Sequence, residues 1–119
     1  MALKPTAGEL RHRIAFDVRE TVNPDAPDDF GNTESEFQEQ FQCAAAFRPA
    51  GGSEAVQAAR LEGRSMMRVY VRSAVETRRI GTDWRMRDLR RGTEYAIGYV
   101  DSVTDPAWVY IEAQSGVAI

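Results

Sequence analysis

The chain has one histidine, His12, and one cysteine, Cys43. A lone histidine leaves nothing for a multi-histidine metal site and sets up no Ser-His-Asp or Cys-His nucleophile. A lone cysteine forms neither an internal disulfide nor a zinc-binding pair, so stability must come from packing or assembly, and Cys43 on an apolar face reads as a small core residue. No apolar run approaches the roughly 18 to 20 residues that span a bilayer, and the opening MALKPTAGELRHR lacks the apolar centre of a signal peptide. The expectation is a protein made and used in a cytoplasm-like setting, with no membrane partner. There is no GxGxxG or GKS/T element, internal repeat or low-complexity tract. Lysine is nearly absent: fourteen of the fifteen basic residues are arginine. That favours planar, bidentate contacts, although a genome rich in G and C would give the same bias.

What remains is an ordinary globular composition, 43% hydrophobic and 28% charged over 119 residues, enough for one domain (1–119) with one modest core. The net charge of −3 is unevenly distributed. Residues 14–47 carry eight acidic side chains and one basic, whereas residues 48–91 carry eleven basic and five acidic. Such segregation suits two surfaces with different partners, or an acidic edge meeting the basic edge of a neighbouring copy. Interleaving of the blocks in a folded sheet is the plainer reading.

Alternation with period two dominates. In HRIAFDVRE at 12–20, Ile14, Phe16 and Val18 share one face, with Arg13, Ala15, Asp17 and Arg19 on the other. The following TVNPDAPDDFGN, rich in Asp and Pro, reads as a long exposed loop. At 35–47, Phe37, Phe41, Cys43, Ala45 and Phe47 line one face. Helix competes there because Glu, Gln and Ala are good helix formers, but a helical stripe does not account for Cys43 and Ala45 as well. Ser53 as cap, Glu54 in the first turn and a stop at Gly63 predict a helix of two to three turns, too short to stand without the sheet or a neighbouring subunit. Strands follow at 66–72, 84–88, 93–100 and 107–113. The expected fold is mainly β: a small antiparallel barrel of about six strands, one short helix between the second and third, and long loops.

Candidate chemistry is sparse. Asp28 and Asp29 sit in the turn-rich loop, where aspartate serves local hydrogen bonding, and the loop lacks calcium-ligand spacing. No set of residues meets the requirements of an active site, so neither catalysis nor a cofactor is expected. Arg78, Arg79, Arg85, Arg87, Arg90 and Arg91 form an arginine group in which Arg85 and Arg87 share a strand face. A phosphate-contacting stripe competes with a solvated or subunit-bridging face, which the acidic net charge and the lack of interleaved aromatics favour. Trp108 and Tyr110 alternate with Val109 and Ile111, making both faces of the last strand apolar. That implies burial under the helix or a partner subunit.

Gly8-Glu9-Leu10-Arg11-His12-Arg13-Ile14, the turn Asp29-Phe30-Gly31, the helix start Gly52-Ser53-Glu54-Ala55, the strand Val69-Tyr70-Val71-Arg72 and the hairpin Gly92-Thr93-Glu94-Tyr95-Ala96-Ile97 occur in order. With these elements the chain resembles the head closure, or head-tail joining, proteins of long-tailed bacteriophages and gene-transfer particles. The resemblance implies a small β-barrel and a structural virion protein of the neck, assembled in the bacterial cytoplasm. It implies a ring of six or twelve copies between portal or adaptor and tail, closing the DNA-filled head and offering the tail its docking surface. Partners would be further copies, the portal or adaptor above, a tail terminator or tail protein below, and double-stranded DNA in the channel. It also implies that the segment between the second and third strands faces the channel, here residues 48–64 with Arg48, Gly51, Gly52, Ser53, Glu54, Arg60 and Arg64. The acidic loop with Asp25, Asp28, Asp29 and Phe30 would meet a neighbour, and Arg85, Arg87, Trp108 and Tyr110 complete the candidate interface. A tail terminator or other neck ring is the nearest alternative. A small barrel binding single-stranded nucleic acid is the alternative of a different class.

Overall fold

The computed structural model describes residues 4–22, 34–49 and 53–119. The described residues form six strands: β1 (His12–Val22), β2 (Glu34–Pro49), β3 (Ser65–Arg72), β4 (Arg85–Asp88), β5 (Glu94–Asp101) and β6 (Trp108–Ser115). One helix, α1 (Glu54–Leu61), lies between β2 and β3. Every pairing is antiparallel, and the order β1-β2-β3-β6-β5-β4 closes on itself through β1 and β4. Closure leaves the sheet without a free edge where the ring is complete. The ring is irregular, with register shifts at Phe16/Asp17 and at Ile97/Tyr99.

The closing seam is short, because β4 has four residues and pairs only with Ile14 to Asp17 of β1. β2 meets β3 only from Ala46 to Pro49. Beyond the seam, residues 18–22 of β1 therefore pair with β2 alone. The result is a two-stranded ribbon beyond the closed part of the sheet.

The interior is filled by the alternating positions of all six strands. Ile14, Phe16, Val69, Val71, Met86, Val109 and Ile111 are fully buried, with Phe41, Cys43 and Phe47 packed against them. Side chains of this size contribute about 1.5–3 kcal/mol each on burial. A second, smaller cluster lies on the opposite face of the sheet, where Ala46, Tyr70 and Trp108 are covered by Leu10 and Tyr110. Leu10 belongs to a strap formed by the first described residues. Pro5 is buried, Lys4 is 2.8 Å from Asp105, and Glu9 holds Arg48 at 3.0 Å. The apolar outer face of β6 is thus partly covered by this strap, and α1 buries Val56 and Ala59 at the β3 end.

The helix begins and ends as its sequence dictates. Ser53 Oγ accepts the Val56 amide at 3.3 Å. At the exit, Gly63 with φ 81° donates to Arg60 O and Arg64 donates to Ala59 O, a Schellman closure. Gly116, at φ 79° after β6, packs so closely here that an added Cβ would lie 2.2 Å from the Gly63 carbonyl oxygen.

Candidate interaction surfaces

Asp17 is expected from alternation on the polar face of β1, and it does face outward, but it is only 1% exposed. The correction has a cause in the register: Arg85 pairs with Asp17 and Arg87 with Ala15, so the arginines of β4 close over that face. Arg87 binds Asp17 through both oxygens, Nε to Oδ2 at 2.7 Å and Nη2 to Oδ1 at 2.9 Å. Arg85 Nε reaches Oδ2 at 2.8 Å. Glu39 accepts from Arg87 at 2.9 Å and Glu94 from Arg85 at 3.1 Å. Phe37 lies between two guanidinium groups, Arg85 at 4.3 Å and Arg19 at 4.5 Å from the ring centroid. Burial pushes the Asp17 carboxyl up, but the bonds from Arg87 and Arg85 outweigh it and hold the group below its ordinary value. Arg85 and Arg87 do share a face, as alternation predicts. Their charge is matched within the chain, which leaves little of it for a phosphate backbone.

Trp108 and Tyr110 come together elsewhere, in a groove of about 600 Å³ on the outer face of β3 and β6. Tyr70 lies 5.0 Å and Tyr99 6.2 Å from Tyr110, ring to ring, while Arg72 caps Trp108 at 5.0 Å. Arg68, Glu112, Asp101 and Asp105 add charge to the walls. Burial, and then the hydrogen bond that Tyr110 donates to Glu112 at 2.9 Å, push the Tyr110 phenol up to about 12. The groove is therefore neutral tyrosine and tryptophan edged by both signs of charge, a composition suited to protein contact.

Of the predicted channel segment, Gly51 and Gly52 lie outside the described residues, as do Asp25, Asp28, Asp29 and Phe30 of the acidic loop. Ser53 serves as helix cap, Glu54 is exposed in the first turn, and Arg60 is exposed near the last. Arg64 is paired with Glu62 and Arg48 with Glu9. The strap contacts of Lys4 and Glu9 are absent from the sequence reading, because nothing local links positions 39 and 101 residues apart. The Asp17 network had a signal: one carboxylate in an apolar strand, and two arginines two residues apart on another.

Further arginines surround the start of β1. His12 stacks on Phe47 at 4.1 Å, with Arg11, Arg90 and Arg91 nearby and Asp88 buried beside it. Asp88 Oδ1 accepts the amides of Arg90 and Arg91 at 3.0 and 3.3 Å, and its Oδ2 has no partner among the described residues. Among the described residues no group of three His, Cys, Asp or Glu side chains could hold a metal, and no helix is long and apolar enough to cross a membrane. Burial pushes the Cys43 thiol up to about 11, leaving it protonated at neutral pH.

Solved structures share this architecture, two of them over nearly the whole chain. Protein SF1141 from Shigella flexneri 2a superposes with a TM-score of 0.67 at 18% identity, covering 94% of this chain and 97% of that one. A chain from the virion of a native gene transfer agent particle superposes with a TM-score of 0.59, also at 18% identity, covering 91% and 96%. At such identities the likeness is one of fold. No curated protein matches the sequence. Residues 5–116, nearly the whole barrel with its strap, match the phage head completion protein family, and the chain belongs to that family.

Proposed function

We propose that this chain is a structural protein of the particle neck, forming a ring between portal or adaptor and tail that closes the filled head and receives the tail. The observation that carries the proposal is the family match across residues 5–116. The gene transfer agent virion chain, similar in fold, agrees with a place in a particle. The physical features fit assembly better than turnover: an aromatic groove, a projecting ribbon, and charged side chains that pair with one another. Six or twelve copies would surround packaged double-stranded DNA, with α1 and the residues around it turned toward the channel. Trp108 and Tyr110 would then serve as apolar anchors against a neighbouring protein. The Asp17 network weakens the alternative of a single-strand-binding barrel, which needs Arg85 and Arg87 free beside stacking aromatics.

Cryo-electron microscopy of particles carrying a tagged copy tests this reading. Ring density between portal and tail is the expected result, and absence of the tagged chain from the particle overturns it. Deleting residues 51–59 should then give heads that package DNA but leak it, whereas heads that stay full would remove the gating role.

A further inference from the structure

β3 leaves its neighbour early. It pairs with β2 only from Ala46 to Pro49, and after Arg72 the chain turns away, the Ser73 amide donating to Ala107 O at 2.9 Å. Above Ala46, β2 therefore has β1 on one side and, among the described residues, no strand on the other. The register shift at Phe16/Asp17 ends the regular part of this edge at Phe41, so it runs from Phe41 to Ala45, roughly 15 Å. An open strand edge turns the N–H and C=O of every second residue outward.

This edge faces a groove of about 450 Å³. Phe41 and Cys43 form its floor, both packed on the core and only partly buried. The segment after β3 forms its far wall, with Arg72, Ala74 and Thr77. That wall is fixed in place: the buried Thr77 hydroxyl donates to Arg72 O at 2.7 Å and accepts the Ala74 amide at 2.8 Å. A second groove of about 320 Å³ continues past Phe41 and Glu76 to Trp84.

We propose that the open edge of β2 receives one extended segment of a different particle protein, which adds as a strand along Phe41 to Ala45 and fills the place that β3 leaves. Strand addition takes its strength from main-chain hydrogen bonds and its selectivity from side chains at alternate positions. The alternate side chains facing Phe41 and Cys43 are apolar, because that floor holds no charged group. A groove walled on both sides takes a single chain, which excludes the edge-on approach of a neighbouring copy's ribbon. This chain also has no spare strand to lend: its apolar alternations lie in its own paired strands, and the stretch 23–33 carries two prolines and three aspartates. The source of the segment rests on the neck reading, whereas the open edge does not.

Particles carrying p-benzoylphenylalanine in place of Gln42, or of Glu54 in the exposed first turn of α1 as a control, test the proposal. Gln42 is exposed and lines the groove, so the replacement leaves the core untouched. Irradiation should join position 42, and not position 54, to one peptide of another particle protein, identified by mass spectrometry. Proline substituted in turn at two adjacent residues of that peptide should lower the cross-link yield about fivefold or more for at least one of them, the scale of one lost main-chain hydrogen bond. Unchanged yield with both prolines overturns strand addition, and a cross-link to a second copy of this chain overturns the assignment of the partner. No cross-link from position 42, in particles that contain the chain, overturns the proposal while leaving the neck reading intact. A chain missing from the particle defeats the neck reading itself, and this proposal with it.

Discussion

Asp17 carries the most consequence of any single side chain here. A carboxylate withdrawn from water is tolerated because three charge-assisted bonds from Arg85 and Arg87 satisfy it. Asp17→Asn keeps the shape and removes the charge, leaving two guanidinium groups short of their counter-ion. Their partial exposure, 20% and 30%, lets water compensate in part. A loss of about 2–4 kcal/mol follows, to be read from urea unfolding at neutral pH. The pH dependence has a definite sign. Because the folded carboxyl titrates below its unfolded value, its contribution is present above the unfolded pKa of about 3.9 and is lost as pH falls through the folded one. The wild-type chain should therefore lose stability below about pH 4 more steeply than Asp17→Asn. Parallel acid limbs would show that the network contributes nothing.

At the scale of elements, the strands and helix were legible because each satisfies a local rule. The alternation of Phe41, Cys43, Ala45 and Phe47 marks β2 as a strand against its helix-forming composition, and all four pack on the core, whereas Phe37, expected on the same face, lies beyond the register shift at Phe16/Asp17 and faces Arg85 and Arg19 instead. Ser53 and Gly63 bracket α1 at Glu54–Leu61, as cap, first turn and stop predict. What stayed hidden depends on contacts between distant parts of the chain: the strap over Tyr70 and Trp108, the extension of β6 to Ser115, and the burial of Ala15 and Asp17 under β4. Alternation says which way a side chain points and cannot say what covers it. The Gly63–Gly116 contact is another such junction, joining the helix exit to the end of β6. Gly116→Ala would combine a left-handed backbone with a clash against backbone atoms, and should cost more than about 2 kcal/mol in chemical denaturation. Ala at Gly63, where the same Cβ meets no atom within 4 Å, should cost about half as much, from its backbone conformation alone. Equal losses at the two sites would show that the close approach does not matter.

The whole molecule is a closed sheet with a strap on one face and an open arm at one end. Its candidate surfaces follow from that plan. The sequence located the aromatics and arginines correctly on their strands, but only the register reveals that Arg85 and Arg87 are tied to Asp17 while Trp108 and Tyr110 share a groove. The closing seam also divides β1 in time as well as in space. Residues 14–17 lie between two partner strands, whereas residues 18–22 depend on β2 alone, and an isolated two-stranded ribbon is marginal in water. In hydrogen exchange of the free chain, the bonded amides at 14–17 should exchange only with opening of the barrel, and those at 18–22 by local opening, about a hundredfold faster or more. Uniform protection along β1 would contradict this. A step at Asp17 would mean that one continuous strand serves two clocks: a slow one that keeps the barrel, and a fast one on which the arm opens by itself.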